Sequence, residues 1–154
     1  MSTVESRLAE LGLSVPDVVP PLAAYTPAVR TGSHVYTSGQ LPMVAGVMAA
    51  TGKVGGAVTP EQGKELAAVS ALNAIAAVKS VIGDLERVVR VVKVVGYVAS
   101  VPEFTGQPAV VNGASELLGH AFGAAGVHAR SAVGVASLPL DAPVEIEIVV
   151  EVAD

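Results

Sequence analysis

The sequence predicts an α+β fold, a β-sheet covered on one face by helices. Three observations lead there. Two segments, 59–83 and 108–123, carry apolar residues at helical spacing between recognisable start and stop signals. Two others, 88–98 and 144–152, are rich in valine, and the second alternates apolar with mostly acidic residues. A short turn containing glycine joins two further strand-like runs nearer the N-terminus. Hairpins segregated from two helices, with no internal repeat, indicate this class.

Residues 2–11 read as a short amphipathic helix. Ser2 and Glu5 fit a capping box, Val4, Leu8 and Leu11 make a stripe, and Gly12 stops it. Pro16, Pro20 and Pro21 follow as an extended arm, not a hinge between domains. Strands at 28–30 and 34–38 flank Thr31-Gly32-Ser33. Gly39-Gln40-Leu41-Pro42 closes the second, and the Gly-rich stretch to Gly56 leaves room for a third around 46–49. At Thr59 the signals are clear: an N-cap, Pro60 at the first helical position, and Gln62 to complete a capping box. Ala68, Leu72, Ile75, Val78 and Ile82 keep helical spacing until Gly83.

The valines of 88–98 are stiff at χ1 and favour a strand, while Arg87, Arg90 and Lys93, three apart, leave a helical first turn open. The second long helix runs from about Pro108 to Gly123 through Val111, Leu117, Leu118 and Phe122. Strands at 131–138 and 144–152, joined by Pro139-Leu140-Asp141-Ala142-Pro143, read as a closing hairpin. In the last strand Val144, Ile146, Ile148, Val150 and Val152 face one way, and Glu145, Glu147, Val149 and Glu151 the other. Residues 1–154 read as one domain, with 1–20 an additional helix and arm.

Composition bounds the function. The chain of 154 residues is 51% hydrophobic and 15% charged, and its mean hydropathy is +0.60. A monomer of this size buries roughly 70% of its unfolded surface, which leaves more apolar area than it comfortably hides. A membrane span needs about 20 apolar residues. The most apolar stretch, 66–78, contains Ser70 and Asn73 between Glu65 and Lys79, and 88–101 is broken by Arg90 and Lys93. A subunit interface is therefore the better account of the excess.

There is no cysteine, and His34, His120 and His128 lack metal-motif spacing. Glu5, Arg7 and Glu10 near the start are unlike a signal peptide, so a cytoplasmic location is expected. A net charge of −5 and 3% aromatic residues argue against nucleic-acid binding.

Three segments carry a resemblance. They are Tyr25-Thr26-Pro27-Ala28-Val29 leading into Thr37-Ser38-Gly39-Gln40-Leu41-Pro42, then 98–112, then Ala129-Arg130-Ser131 through Leu138-Pro139 to Val144-Glu145-Ile146-Glu147. In this order, over most of 22–152, they resemble the RidA/YjgF family, also called the L-PSP endoribonuclease family. The resemblance implies a chorismate-mutase-like fold, a mixed and mostly antiparallel sheet backed by two helices. It also implies a homotrimer whose sheets form a central barrel, with a cleft at each subunit boundary. The implied activity is hydrolysis of reactive 2-imino acids or their enamine tautomers to 2-keto acids and ammonia. Its partners would be small carboxylate-bearing imines, enamines or keto acids, not nucleic acid or membrane, and no metal or organic cofactor is required.

On this resemblance Arg130 and Glu145 are the catalytic pair, and Tyr25, Ser38, Gly39 and Asn112 join Arg130 in binding substrate. Departures mark a longer-chain branch. Ala132 replaces a frequent cysteine, His128 a proline, and Ala23-Ala24 a Gly-Pro pair; residues are added between Phe104 and Asn112. They keep alive a non-catalytic trimer that binds small carboxylates or a protein. An endoribonuclease or translation inhibitor is the third alternative.

Each candidate also has a plainer reading. A guanidinium fork fits a carboxylate bidentately, but Arg130 could equally pair with Glu145 or Glu147 at the surface. Alternating glutamates usually mark a solvated face, whereas a buried one has the raised pKa that suits proton transfer. Spacing does not choose between Glu145 and Glu147; the resemblance takes Glu145. Tyr25 is either a cleft wall or an anchor for the arm. Ser38 and Gly39 suit close backbone approach to a ligand or an ordinary turn. Asn112, early in a helix, suits a ligand or a local hydrogen bond. His128, two residues before Arg130, shares its face and either tunes a pH response or is structural.

Overall fold

The computed structural model describes residues 2–154. Helix α1 (Thr3–Glu10) starts on the expected capping box: the Ser2 hydroxyl accepts from the Glu5 N–H, and the Glu5 carboxylate accepts from the Ser2 N–H. Val4 and Leu8 are buried, but Leu11, at the C-cap, is exposed instead of completing the stripe. Glu5 pairs with Lys79, and its carboxyl is held down at about 2, chiefly by that hydrogen bond. Strands β1 (Ala28–Thr31) and β2 (His34–Thr37) form the predicted hairpin. The Gly-rich stretch makes a separate ribbon, β3 (Met43–Val44) with β4 (Val47–Met48), instead of one added strand.

Helix α2 (Pro60–Ile82) opens on the Thr59–Gln62 capping box and stops at Gly83. Its 23 residues are long and apolar enough to cross a membrane, contrary to the expectation drawn from 66–78 alone. Most of that apolar window is buried inside this fold. A 3-10 turn at Leu85–Arg87 precedes β5 (Val88–Ala99), so the valine run is strand from its first residue. Helix α3 (Gln107–Phe122), β6 (Ala129–Val135) and β7 (Val144–Val152) complete the chain.

The sheet order is β1-β2-β7-β5-β6, antiparallel except for β5 with β6. The expected closing hairpin is therefore absent. Helix α3 is the crossover that makes β5 and β6 parallel, and β7 inserts between β2 and β5, where its apolar face is buried throughout.

Both long helices cover one sheet face, and Val94, Val98, Ile146, Ile148 and Val150 meet them. On the other face Val29, Tyr36 and Val133 remain exposed, a part of the apolar excess of the composition. Two glycines seat α3 unusually close to its neighbours. A Cβ on Gly96 would lie 2.4 Å from a methyl of Val111, and one on Gly113 would lie 1.9 Å from the Lys64 carbonyl oxygen of α2. Asn112 stands between these two contacts and so is carried at a fixed height over β6.

Candidate functional site

Arg130 is the second residue of β6, in register with Val94 of β5. Its side chain turns to the helix face and meets three neutral acceptors on α3. Nη1 donates to Asn112 Oδ1 at 2.7 Å and to Ser115 Oγ at 3.2 Å, and Nη2 donates to the Pro108 carbonyl at 3.3 Å. No carboxylate among the described residues pairs with it, so the surface ion pair with Glu145 or Glu147 does not form. Of the guanidinium's N–H donors, the Nε–H and one Nη2–H are left, enough for the two oxygens of a carboxylate.

A second group of residues gathers where β2 ends. Tyr36 pairs with Val149, but Gln40 pairs with Ile146, one residue more on the β2 side than on the β7 side. Ser38-Gly39 take up the extra residue as a bulge, a feature that re-aims side chains beside it. Glu145 uses the opening: a Cβ on Gly39 would lie 2.3 Å from Glu145 Oε1, so the carboxylate rests on the bare glycine. Burial raises the Glu145 pKa first, and the charge of Glu147 raises it further. Glu147 is already engaged, because the Tyr97 hydroxyl donates to its Oε1 at 2.7 Å; that bond pushes the Tyr97 pKa up to about 12. Glu145 is thus the carboxylate left without a side-chain donor.

Tyr25 and Gly39 line one small hollow of about 20 Å³ with Pro20, Leu22, Gln40 and Met43. The phenol oxygen also accepts from the Leu22 N–H at 3.3 Å, so Tyr25 is wall and anchor at once. The Ser38 hydroxyl turns away and donates to the Thr26 carbonyl at 2.7 Å. Ser38 therefore holds the arm, and Asn112 Oδ1 holds Arg130; neither of these groups is free for a ligand.

Within one chain the two groups stay apart. Arg130 lies on the helix face of an edge strand, and Glu145 lies on the opposite face of β7. Two strand spacings, roughly 10 Å, separate them besides.

Several supporting residues escaped the sequence. Asn73, buried in α2, donates to the carbonyls of Leu41 and Met43 and fixes the wall of the hollow. Its signal was a polar residue within an apolar helix. Tyr97 gave a similar one, an aromatic in a valine run. Ser115 gave none.

Comparisons with known proteins bear on this geometry. The profile of the YjgF/chorismate_mutase-like family, which also carries an endoribonuclease label, matches residues 5–152. Protein TCP17 of Trypanosoma cruzi is 42% identical over 151 residues, which span 96% of this chain and 93% of that protein. Atu1372 of Agrobacterium tumefaciens, a crystal structure of unknown function, is 46% identical with a TM-score of 0.93, covering 98% of this chain and 93% of its own. RidA from an Antarctic Psychrobacter is 26% identical with a TM-score of 0.61, covering 88% and 94%. The lower coverage of this chain by RidA fits a longer branch.

Proposed function

The chain belongs to the YjgF/RidA family, and from that premise we propose that it hydrolyses small 2-imino acids, or their enamine tautomers, to 2-keto acids and ammonia. The observation that carries the reading is the Arg130 guanidinium, fixed by neutral acceptors with two donors left over. A half-buried guanidinium set among neutral acceptors keeps its charge available to an incoming carboxylate. In this reading that carboxylate is the substrate's own.

In this reading the two half-sites meet across a boundary between copies of the chain, in a homotrimer whose open sheet faces pack together. Arg130 of one copy grips the substrate carboxylate and so fixes the C=N carbon, an orientation effect. Glu145 of the next copy takes a proton from water as its oxygen adds to that carbon. Glu145 returns that proton to the imine nitrogen to give the carbinolamine, then relays the hydroxyl proton to the same nitrogen as the C–N bond breaks, leaving the ketone and ammonia. The raised pKa of Glu145 suits a group that accepts and returns a proton. The exposed Val29, Tyr36 and Val133 support the packing of open faces. The ribonuclease label has weaker support, from a chain of net charge −5 with 3% aromatic residues.

The test is a coupled assay in which an amino-acid oxidase generates imine in situ and its decay is followed. Added protein should speed the decay, and Arg130→Ala should not. Equal decay with and without wild-type protein would end the enzyme reading. Calorimetric binding of 2-keto acids without turnover would then favour a carboxylate-binding trimer. Solution mass should correspond to three chains of 15.4 kDa.

A further inference from the structure

His128 and Ser115 form a chain of hydrogen bonds that ends on Arg130. His128 Nδ1 lies 2.6 Å from the Gly126 carbonyl oxygen, which can only accept, so Nδ1 carries a proton. In the neutral ring Nε2 is then an acceptor, and it lies 2.9 Å from Ser115 Oγ. The Ser115 hydroxyl must donate to it. That leaves the lone pairs of Ser115 facing Arg130 Nη1, which donates to this oxygen. The direction of every bond is therefore set from the Gly126 carbonyl outward, and polarisation along the chain strengthens the last link.

We propose that Ser115 and His128 are positioning residues for Arg130: His128 orients the Ser115 hydroxyl, and Ser115, with Asn112, holds the guanidinium plane so that its free edge meets the carboxylate. The proposal rests on the reading of Arg130 given above and deepens it, since it assigns the site's carboxylate affinity partly to residues that touch no substrate. Without Ser115 the guanidinium would keep one bond at Nη1, to Asn112, and one long bond at Nη2, to the Pro108 carbonyl, and the second Nη1–H would be unheld. Ser115 takes that second Nη1–H, and the three acceptors together limit rotation about the Cζ–Nη1 bond.

Substitution at His128 separates the two ring nitrogens. His128→Gln places an amide oxygen where Nε2 stood and keeps an acceptor for Ser115. His128→Asn reaches only the Gly126 carbonyl. The first readout is nitrogen NMR of the guanidinium, assigned by its loss in Arg130→Lys. Arg130 Nη signals should be resolved in wild type and His128→Gln, and averaged by rotation in His128→Asn and Ser115→Ala. In the coupled imine assay the latter two should raise KM about tenfold, the loss of one charge-assisted hydrogen bond, with kcat within about twofold.

Unchanged Arg130 signals in both Ser115→Ala and His128→Asn would overturn the proposal. Equal behaviour of the Gln and Asn variants would do the same. The NMR result does not depend on turnover. Wild type inactive on imines but with signals that respond as described would remove the deaminase reading and leave the positioning chain standing.

Discussion

The arginine corner and the glutamate corner are built by opposite means. Around Arg130 most of the work is done by side chains: Asn112 and Ser115 on α3 supply neutral acceptors, and a single backbone carbonyl joins them. Around Glu145 the backbone does it, through a one-residue bulge and a glycine on which the carboxylate rests. The first corner lowers the energy of its charge and leaves donors over. The second raises the energy of its charge, by burial and by a like-charged neighbour. In the proposed reaction one corner holds an anion and the other takes up a proton, and that division would be lost if both were built alike.

The largest break in the comparison comes from removing the cation. Arg130→Ala should lower imine clearance by on the order of 10³-fold, and Arg130→Lys should restore little, because an ammonium lacks the planar fork. The coupled assay measures both. Asn112→Ala should fall between wild type and Arg130→Ala, since it removes one bond that holds the guanidinium and none to substrate.

Gly39→Ala attacks the other corner. The new methyl would occupy the place of the Glu145 carboxylate, with even the Glu145 Cγ within 2.9 Å. The side chain must leave its position, and a misplacement of about 1 Å at a reacting group costs around 10²-fold. The expected result is lost kcat with a melting temperature near wild type. A comparable substitution at Gly113 should behave the other way. There the obstacle is the Lys64 backbone, which cannot swing aside, so Gly113→Ala should destabilise the fold by about 1–3 kcal/mol, seen in urea unfolding.

How much of this was legible depended on range. Helix starts were readable because capping is settled within four residues: Ser2 with Glu5 and Thr59 with Gln62 are as expected. The partnership of β6 and β7 was not, since adjacency in sequence suggested a hairpin and only the crossover through α3 excludes it. The same holds at the site. Arg130 and Glu145 could be named from their motif. The engagement of the Ser38 hydroxyl with Thr26 and of Asn112 Oδ1 with Arg130 could not, because each depends on a carbonyl or guanidinium brought there by packing. The resemblance favoured Glu145 over Glu147, but spacing could not, and the Tyr97 hydroxyl that engages Glu147 was hidden.

The smallest expected effects sharpen the contrast most. Glu145 has a raised pKa in the folded chain, so it contributes stability below its ordinary 4.5 and loses that contribution as pH rises and the buried carboxyl ionises. Glu145→Gln should therefore melt higher than wild type at pH 7, with the advantage shrinking as pH falls toward 4.5, while imine clearance drops. Glu147→Gln removes the neighbouring charge and leaves Glu145 in place. Because that charge raises the Glu145 pKa, the acidic limb of the pH–rate profile should move to lower pH, with the plateau rate little changed. An acidic limb that stays put in Glu147→Gln, or a Glu145→Gln variant no more stable than wild type at neutral pH, would mean that the glutamate corner is solvated and that its charge is not held at raised energy.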